Sequence, residues 1–356
     1  MNISLKIILG FLYGLLSGLS LFLNIIALLT VFQLAFLLRK NHVYIISFLN
    51  ILSDVIQMLV ATSYLAPSIV TSSFLISNSK KETWTLAISS SFLFLWYFES
   101  VLQIVMALNR YVVICLRNHK IFTFTSTSIL FMVVTPICFA LMLYSQYFSP
   151  CCSFMYDQEY LSYSYYEIPG IPNYSNTFVD LPLNTASSVI AAVCYGLIFW
   201  KVHNSSPTVG SMASEQQKIR RNRDIRCAFQ FSLLQISYLL AWVLFRILPI
   251  LLENRNVEWF ILVPTLYTIN CTSNAIIYLF FNSEVQKNMI PQCFLQVVEF
   301  LRLTKSSTPI LNRSVTSQSK VMVTPIVTMA LRLIPEREQQ IYRSLRARSD
   351  NITSVA

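Results

Sequence analysis

Glycine, histidine and charge are all scarce in this chain of 356 residues. Six glycines leave almost nothing from which to build a phosphate-cradling loop, so P-loop and dinucleotide-binding folds are excluded. Three histidines, His42, His119 and His203, with no His-Glu-x-x-His spacing, leave a zinc hydrolase without its ligands. A carboxylate dyad could in principle hydrolyse, but the glycine an intramembrane aspartyl enzyme needs beside its Asp is missing. Charged residues make up 12% of the chain, against about 25% in an average soluble domain, which excludes an ordinary water-soluble enzyme. Internal repeats and paired Gly- or Pro-broken segments are missing too, which weakens the case for a small-solute or ion-coupled transporter without removing it.

What the sequence has is apolar residues in long blocks, 55% of the total, with 25 Phe and 18 Tyr among them. The blocks run from Ile7 to Leu38, Val43 to Ile69, Trp84 to Ile114, Phe124 to Phe148, Leu181 to Val202, Ile225 to Leu252 and Trp259 to Phe281. In hydrocarbon each must satisfy its backbone polar groups internally, so each is expected to be a helix. The first block exceeds the ~7 to 15 residues of a signal-peptide core and ends without a small-residue cleavage site, so it is expected to remain as a helix. The fold expected is an all-α membrane protein, a seven-transmembrane helix bundle.

Basic residues resist translocation, and their placement sets the orientation. With the N-terminus outside and the C-terminus cytoplasmic, 21 of the 26 Lys and Arg fall inside, and only Lys6, Lys80, Lys81 and Arg255 outside. The net charge of +10 is then a cytoplasmic face drawn to anionic lipid and acidic partners, not a nucleic-acid surface. The outer segment Ser149 to Pro182 carries four acids, several Tyr and no Lys or Arg, and is the natural lid over an outward pocket. Its Asn173-Tyr174-Ser175 is an expected glycosylation site. The basic run from Lys218 to Arg226 fits a lipid-facing flank or a partner-docking surface equally well. Cys151 and Cys152 are the only outward cysteines and are neighbours, so no disulfide scaffold is expected, whereas Cys293, shortly after the seventh span, is a palmitoylation candidate. A domain of residues 1–302, with a short helix after the seventh span, is expected ahead of a largely disordered Ser/Thr- and Arg-containing tail at 303–356.

Ionisable groups inside spans cost at least ~2.5 to 3.5 kcal/mol on insertion scales, so each needs a partner or a purpose. Asp54, Glu99 and Arg246 are such groups, and Asn24, Asn270 and Asn274 add amides, the last two on one helix face. The carboxylates either stay protonated and hold helices together, or share a proton or a sodium ion with Asn270 and Asn274 around it. Arg246, about two turns from the outer end of its helix, either snorkels or lines a pocket and pairs with an anionic ligand or an acid of the Tyr-rich loop.

The third span ends Ala107-Leu108-Asn109-Arg110-Tyr111, which resembles the Asp-Arg-Tyr motif of rhodopsin-like G-protein-coupled receptors. The seventh ends Asn274-Ala275-Ile276-Ile277-Tyr278, similar to their Asn-Pro-x-x-Tyr motif. Asn24, Asp54 and Glu99 stand at matching places, Tyr238 to Trp242 resembles the sixth-helix aromatic pair, and Asp224 sits where an acid latches the Arg. Asn109, Ala275 and Leu244 depart from the pattern, as does Thr85 where a disulfide Cys is usual. With Thr268 near the place of a retinal Lys, a light receptor is not expected. Such relaxed motifs resemble those of nematode serpentine chemoreceptors, class X among them. The resemblance implies a small extracellular ligand, a heterotrimeric G protein, and a place in the plasma membrane such as a sensory cilium. It also implies coupling and activation roles for Arg110, Tyr111, Asp224, Asn274, Tyr278 and Tyr195, a pocket floor at Trp242 with Arg246 nearby, and a sodium pocket at Asp54 and Glu99.

Overall fold

The computed structural model describes residues 3–40, 42–77, 79, 82–117, 121–158, 160–165, 170–204, 229, 232–248, 251, 257–282 and 284–288. Six of its helices are long and apolar enough to cross a membrane: α1 (Ile3–Leu37), α2 (Val43–Thr71), α3 (Thr83–Ile114), α4 (Phe124–Phe148), α5 (Ser175–Asn204) and α7 (Val257–Phe281). Between the last two lies α6, described over Ser232–Leu248 and also apolar. Residues Met1–Leu295 form one compact unit; the tail beyond it lies outside the described residues.

Large apolar side chains such as Phe11, Leu15, Phe22, Met132 and Trp200 face outward, the arrangement that a hydrocarbon solvent favours. α3 is the most deeply buried of the spans, and α4 the least. α1 packs on α2 through Gly10, Gly14 and Gly18, one turn apart. A Cβ at Gly10 would lie 2.8 Å from methyls of both Ile69 and Val70, so the backbones meet where only glycine fits. Three of the chain's six glycines thus serve one helix contact.

Local chemistry explains the helix ends and irregularities. Thr123 and Ser126 cap α4 reciprocally, each side chain bonded to the other's backbone N–H. Pro67 has no N–H to give, and α2 widens into a π turn at Ala61–Leu65 just before it. With Ala275 in place of a proline, α7 runs on to a π turn at Ile277–Phe281.

The segment after α4 adds what the all-helical expectation lacks, a short antiparallel hairpin of β1 (Phe154–Asp157) and β2 (Ser162–Tyr165). Cys151 and Cys152, just ahead of it, are joined to each other by a disulfide. The hairpin is fastened to the bundle by backbone bonds. Gln146 donates to the Phe154 carbonyl at 2.6 Å and accepts from its N–H at 3.0 Å, while Ser89 accepts from the Tyr156 N–H at 3.1 Å. These three bonds use donors and acceptors that an edge strand would otherwise leave open. Phe154, Met155 and Tyr156 are buried against the helix ends.

Candidate functional site

Beneath the hairpin, the ends of α1, α2, α3, α6 and α7 line a narrow, partly open cavity. Its wall is mostly apolar and rich in aromatic rings, with Tyr13, Phe92, Trp96, Tyr163, Phe245 and Tyr267 prominent. Phe92 stacks on Tyr163 at 4.2 Å, and Phe154 lies nearly parallel to Tyr163 at 5.5 Å, so one side is a sheet of ring faces. Burial pushes the hydroxyls of Tyr156, Tyr163 and Tyr165 well above their ordinary value, since phenolate has no water there.

Among the described residues the one ionisable carboxylate in the wall is Asp180. It is 1% exposed and pairs with Arg246 at 2.7 Å, while Trp96 and Asn184 each donate to its other oxygen at 2.9 Å. Asn184 in turn accepts from Ser100 at 2.8 Å and from Tyr238, so α3, α5 and α6 share one polar knot. Arg246 therefore pairs with an acid at the end of the Tyr-rich segment, as the second of its expected roles has it, although it stands behind Asp180 and is not itself among the lining residues. Its guanidinium also lies 6.0 Å from the Trp242 ring. Trp242 is partly buried beside the same cluster, its indole nitrogen without a hydrogen-bond partner.

The cavity floor is Gln57 and Tyr267, and directly behind them stands the acid pair. Glu99 accepts from Ser53 at 2.9 Å, Gln57 at 2.5 Å and Tyr267 at 3.0 Å, and Tyr267 also donates to Gln57. Asp54 accepts from Asn274 at 2.7 Å. Ligand atoms of Asp54, Glu99 and Cys271 all lie within 4.8 Å of one another and are buried. Asn24 ties α1 to the Cys271 carbonyl at 3.3 Å, and Asn270 accepts from Ser237 of α6 at 2.9 Å. One oxygen each of Asp54, Asn274 and Asn24 has no hydrogen-bond partner among the described residues. These hard oxygens fit one small monovalent cation or a shared proton, whereas the Cys271 thiol is too soft to favour sodium. Asn270 sits at the edge of this group, engaged with α6.

At the opposite end of the bundle, Tyr278 shares a 2.6 Å hydrogen bond with Ser47, and Tyr44 donates to Glu284 at 2.5 Å. Tyr195 is buried within electrostatic range of both Arg110 and Tyr278. Tyr111 packs against the adjoining core, and Asn109 is buried with neither amide atom hydrogen-bonded. Asp224 and Cys293 lie outside the described residues. Asn173 uses its side-chain oxygen to accept from the Asn176 N–H at 2.9 Å, and its side-chain nitrogen is shielded. A glycan on that nitrogen therefore requires transfer before this helix end closes.

Four residues that the sequence does not single out prove central: Ser53, Gln57 and Tyr267 around the acids, and Asp180 in the wall. Ser53 and Gln57 do leave a trace, since they share with Asp54 one polar stretch of an otherwise apolar span. Asp180 leaves one as well, being one of the four acids of the Tyr-rich segment that could pair with Arg246; Tyr267 leaves none, because its importance comes from contacts between helices.

No curated protein matches the sequence closely enough to count as a relative. The crystal structure of squid rhodopsin is similar in fold, with a TM-score of 0.67 at 14% sequence identity, over 87% of this chain and 93% of that one. A family model described as the serpentine type seven-transmembrane G-protein-coupled chemoreceptor Srx matches residues 15–282. A match over that much of a helical bundle shaped like rhodopsin leaves one conclusion: the chain is a multi-pass membrane protein that belongs to the Srx family of serpentine G-protein-coupled chemoreceptors.

Proposed function

We propose that this receptor lies in the plasma membrane, including that of sensory cilia, with the hairpin end outward, binds a small ligand in the cavity beneath the hairpin, and activates a heterotrimeric G protein at the Arg110 end. The observation that carries the reading is the polar file joining the two ends. It runs from Gln57 and Tyr267 in the cavity floor through Glu99, Asp54 and Asn274, then to Tyr278 one turn further along α7. A ligand that rearranges the floor changes which packing of α2, α3 and α7 is favoured. It shifts the population by its difference in affinity for the two packings, and a hundredfold difference is worth about 2.7 kcal/mol.

Arg110, Tyr111, Tyr195, Asn274 and Tyr278 serve the coupling end in this reading, with Asp224 as the resting latch of Arg110. Trp242 and Arg246 flank the cavity. The acid pair holds one positive charge, a proton or a sodium ion, that offsets one of the two carboxylate charges and lessens the repulsion between them. Asn173 carries the glycan and Cys293 the palmitoyl group.

Nucleotide exchange on a panel of G proteins, in membranes bearing the wild type and Arg110→Ala at matched surface level, tests the proposal. Exchange above background that the variant loses is the expected result. Equal exchange from both would overturn the role given to Arg110.

A further inference from the structure

The wall of the cavity limits the chemistry of what it can hold. Its charge is already balanced. Asp180 lies in the wall, but its two oxygens are taken by Arg246, Trp96 and Asn184, so a cationic ligand finds no free counter-charge and an anion meets a carboxylate. The amide oxygen of Gln57 is taken by Tyr267, and the amide nitrogen by Glu99 and Ser53. Ser162 donates to the Tyr163 carbonyl at 3.3 Å.

Among the described wall residues the Tyr13 hydroxyl accepts a 3.5 Å bond from Thr268, and one side-chain polar atom has no hydrogen-bond partner at all. The Tyr163 hydroxyl is buried without a hydrogen-bond partner, on a residue 6% exposed. A phenol that is shielded from water and unpaired loses a hydrogen bond it would have in solution, and a ligand oxygen restores it. The ring of Tyr163 lies beside Phe92 and Phe154, within 18° of parallel to both, and those two centroids are 5.9 Å apart, so the three rings form a patch of faces rather than a sandwich. Flat apolar molecules stack on such a face.

We infer that the ligand is a small, flat, uncharged and mainly apolar molecule carrying a carbonyl-type oxygen that accepts the Tyr163 hydroxyl hydrogen bond. This inference rests on the cavity being the ligand site of the receptor reading and adds the ligand's class to it. Amines are disfavoured although ring faces attract cations, because Arg246 stands beside Asp180, the only carboxylate of the wall among the described residues.

Four probes that share a benzene ring separate the possibilities: acetophenone, ethylbenzene, 1-phenylethylammonium and benzoate. Ligand-observed saturation-transfer NMR on the full chain in nanodiscs, with empty nanodiscs as the lipid-partition control, gives the order of affinity without any G protein. Acetophenone is expected to bind about five-fold tighter than ethylbenzene, the worth of one net hydrogen bond, and tighter than either ion. Tyr163→Phe keeps the ring stack and is expected to erase the margin over ethylbenzene. The wild-type ranking stands as a test even if that variant does not fold. Equal or tighter binding of the amine, of benzoate or of ethylbenzene overturns the inference, as does the absence of acetophenone binding. Because G-protein exchange is read separately, a failed ligand class and a failed receptor assignment give different results.

Discussion

The Arg246–Asp180 pair is unequal in its exposure, and cutting it from either side is expected to cost different amounts. Asp180 is 1% exposed and the Arg246 side chain 21%. Arg246→Gln leaves a buried carboxylate with only Trp96 and Asn184 as donors, and about 3 kcal/mol should be lost, the lower end for breaking a buried pair. Asp180→Asn leaves an arginine that can swing its head toward water, and about 1 kcal/mol should be lost with the charge-assisted bond. The double variant places two neutral amides there and is expected to cost about 2 kcal/mol, so the coupling is about 2 kcal/mol. Thermal denaturation in nanodiscs, read by a thiol-reactive dye reaching the buried Cys138 and Cys271, orders the four proteins. Equal effects of the single variants would refute the asymmetry, and a double variant equal to their sum would refute the coupling.

Three further outcomes follow from other parts of the bundle. Gly10→Leu should lower stability by about 1 to 3 kcal/mol through overpacking against Ile69 and Val70, whereas Gly196→Ala, with nothing within 4 Å of the added carbon, should leave the same melting curve unchanged or slightly raised. Sodium chloride should raise the melting temperature above that in N-methylglucamine chloride, and Asp54→Asn or Glu99→Gln should remove the difference; a sodium-insensitive melt that responds to pH in the wild type alone would assign the charge to a proton instead. The hairpin tyrosines bind their protons more tightly folded than unfolded, so their contribution is complete below the ordinary value of 10.0 and is lost as pH rises above it. Phenolate absorbance from Tyr156 should therefore appear only with unfolding, and its reversible appearance near pH 10 in the folded protein would contradict the burial.

The spans are legible in the sequence because bilayer helices need no period, only length and apolarity, and the blocks supply both. Their ends are less so. α5 begins at Ser175, six residues before the apolar block at Leu181, because Asp180 enters the bundle as half of an ion pair and hydropathy counts it as loop. The hairpin is masked for a similar reason: Phe154 to Tyr165 has the aromatic content of strands, but acids and serines interrupt it. Arg110, Asn274 and Tyr278 are legible as motifs at helix ends. The partners that give Asp54 and Glu99 their setting are not, since which face of α7 turns toward α2 is decided by packing among seven helices rather than by spacing along one. Membership of a chemoreceptor family also leaves the transporter alternative without a finding in its favour.

The bonds from Gln146 and Ser89 to β1 carry a consequence for the speed of the response. They fix the roof to α3 and α4 at three points, so loop opening is not the cheap way in. On the proposed reading a ligand enters at the cavity's open side, since ring rotations are far faster than displacement of a loop that is hydrogen-bonded in place. If the cavity is the ligand site, as proposed, how long a stimulus persists after its source is gone depends on the grip of the cavity itself, and residence time becomes a property of the aromatic wall rather than of a gate.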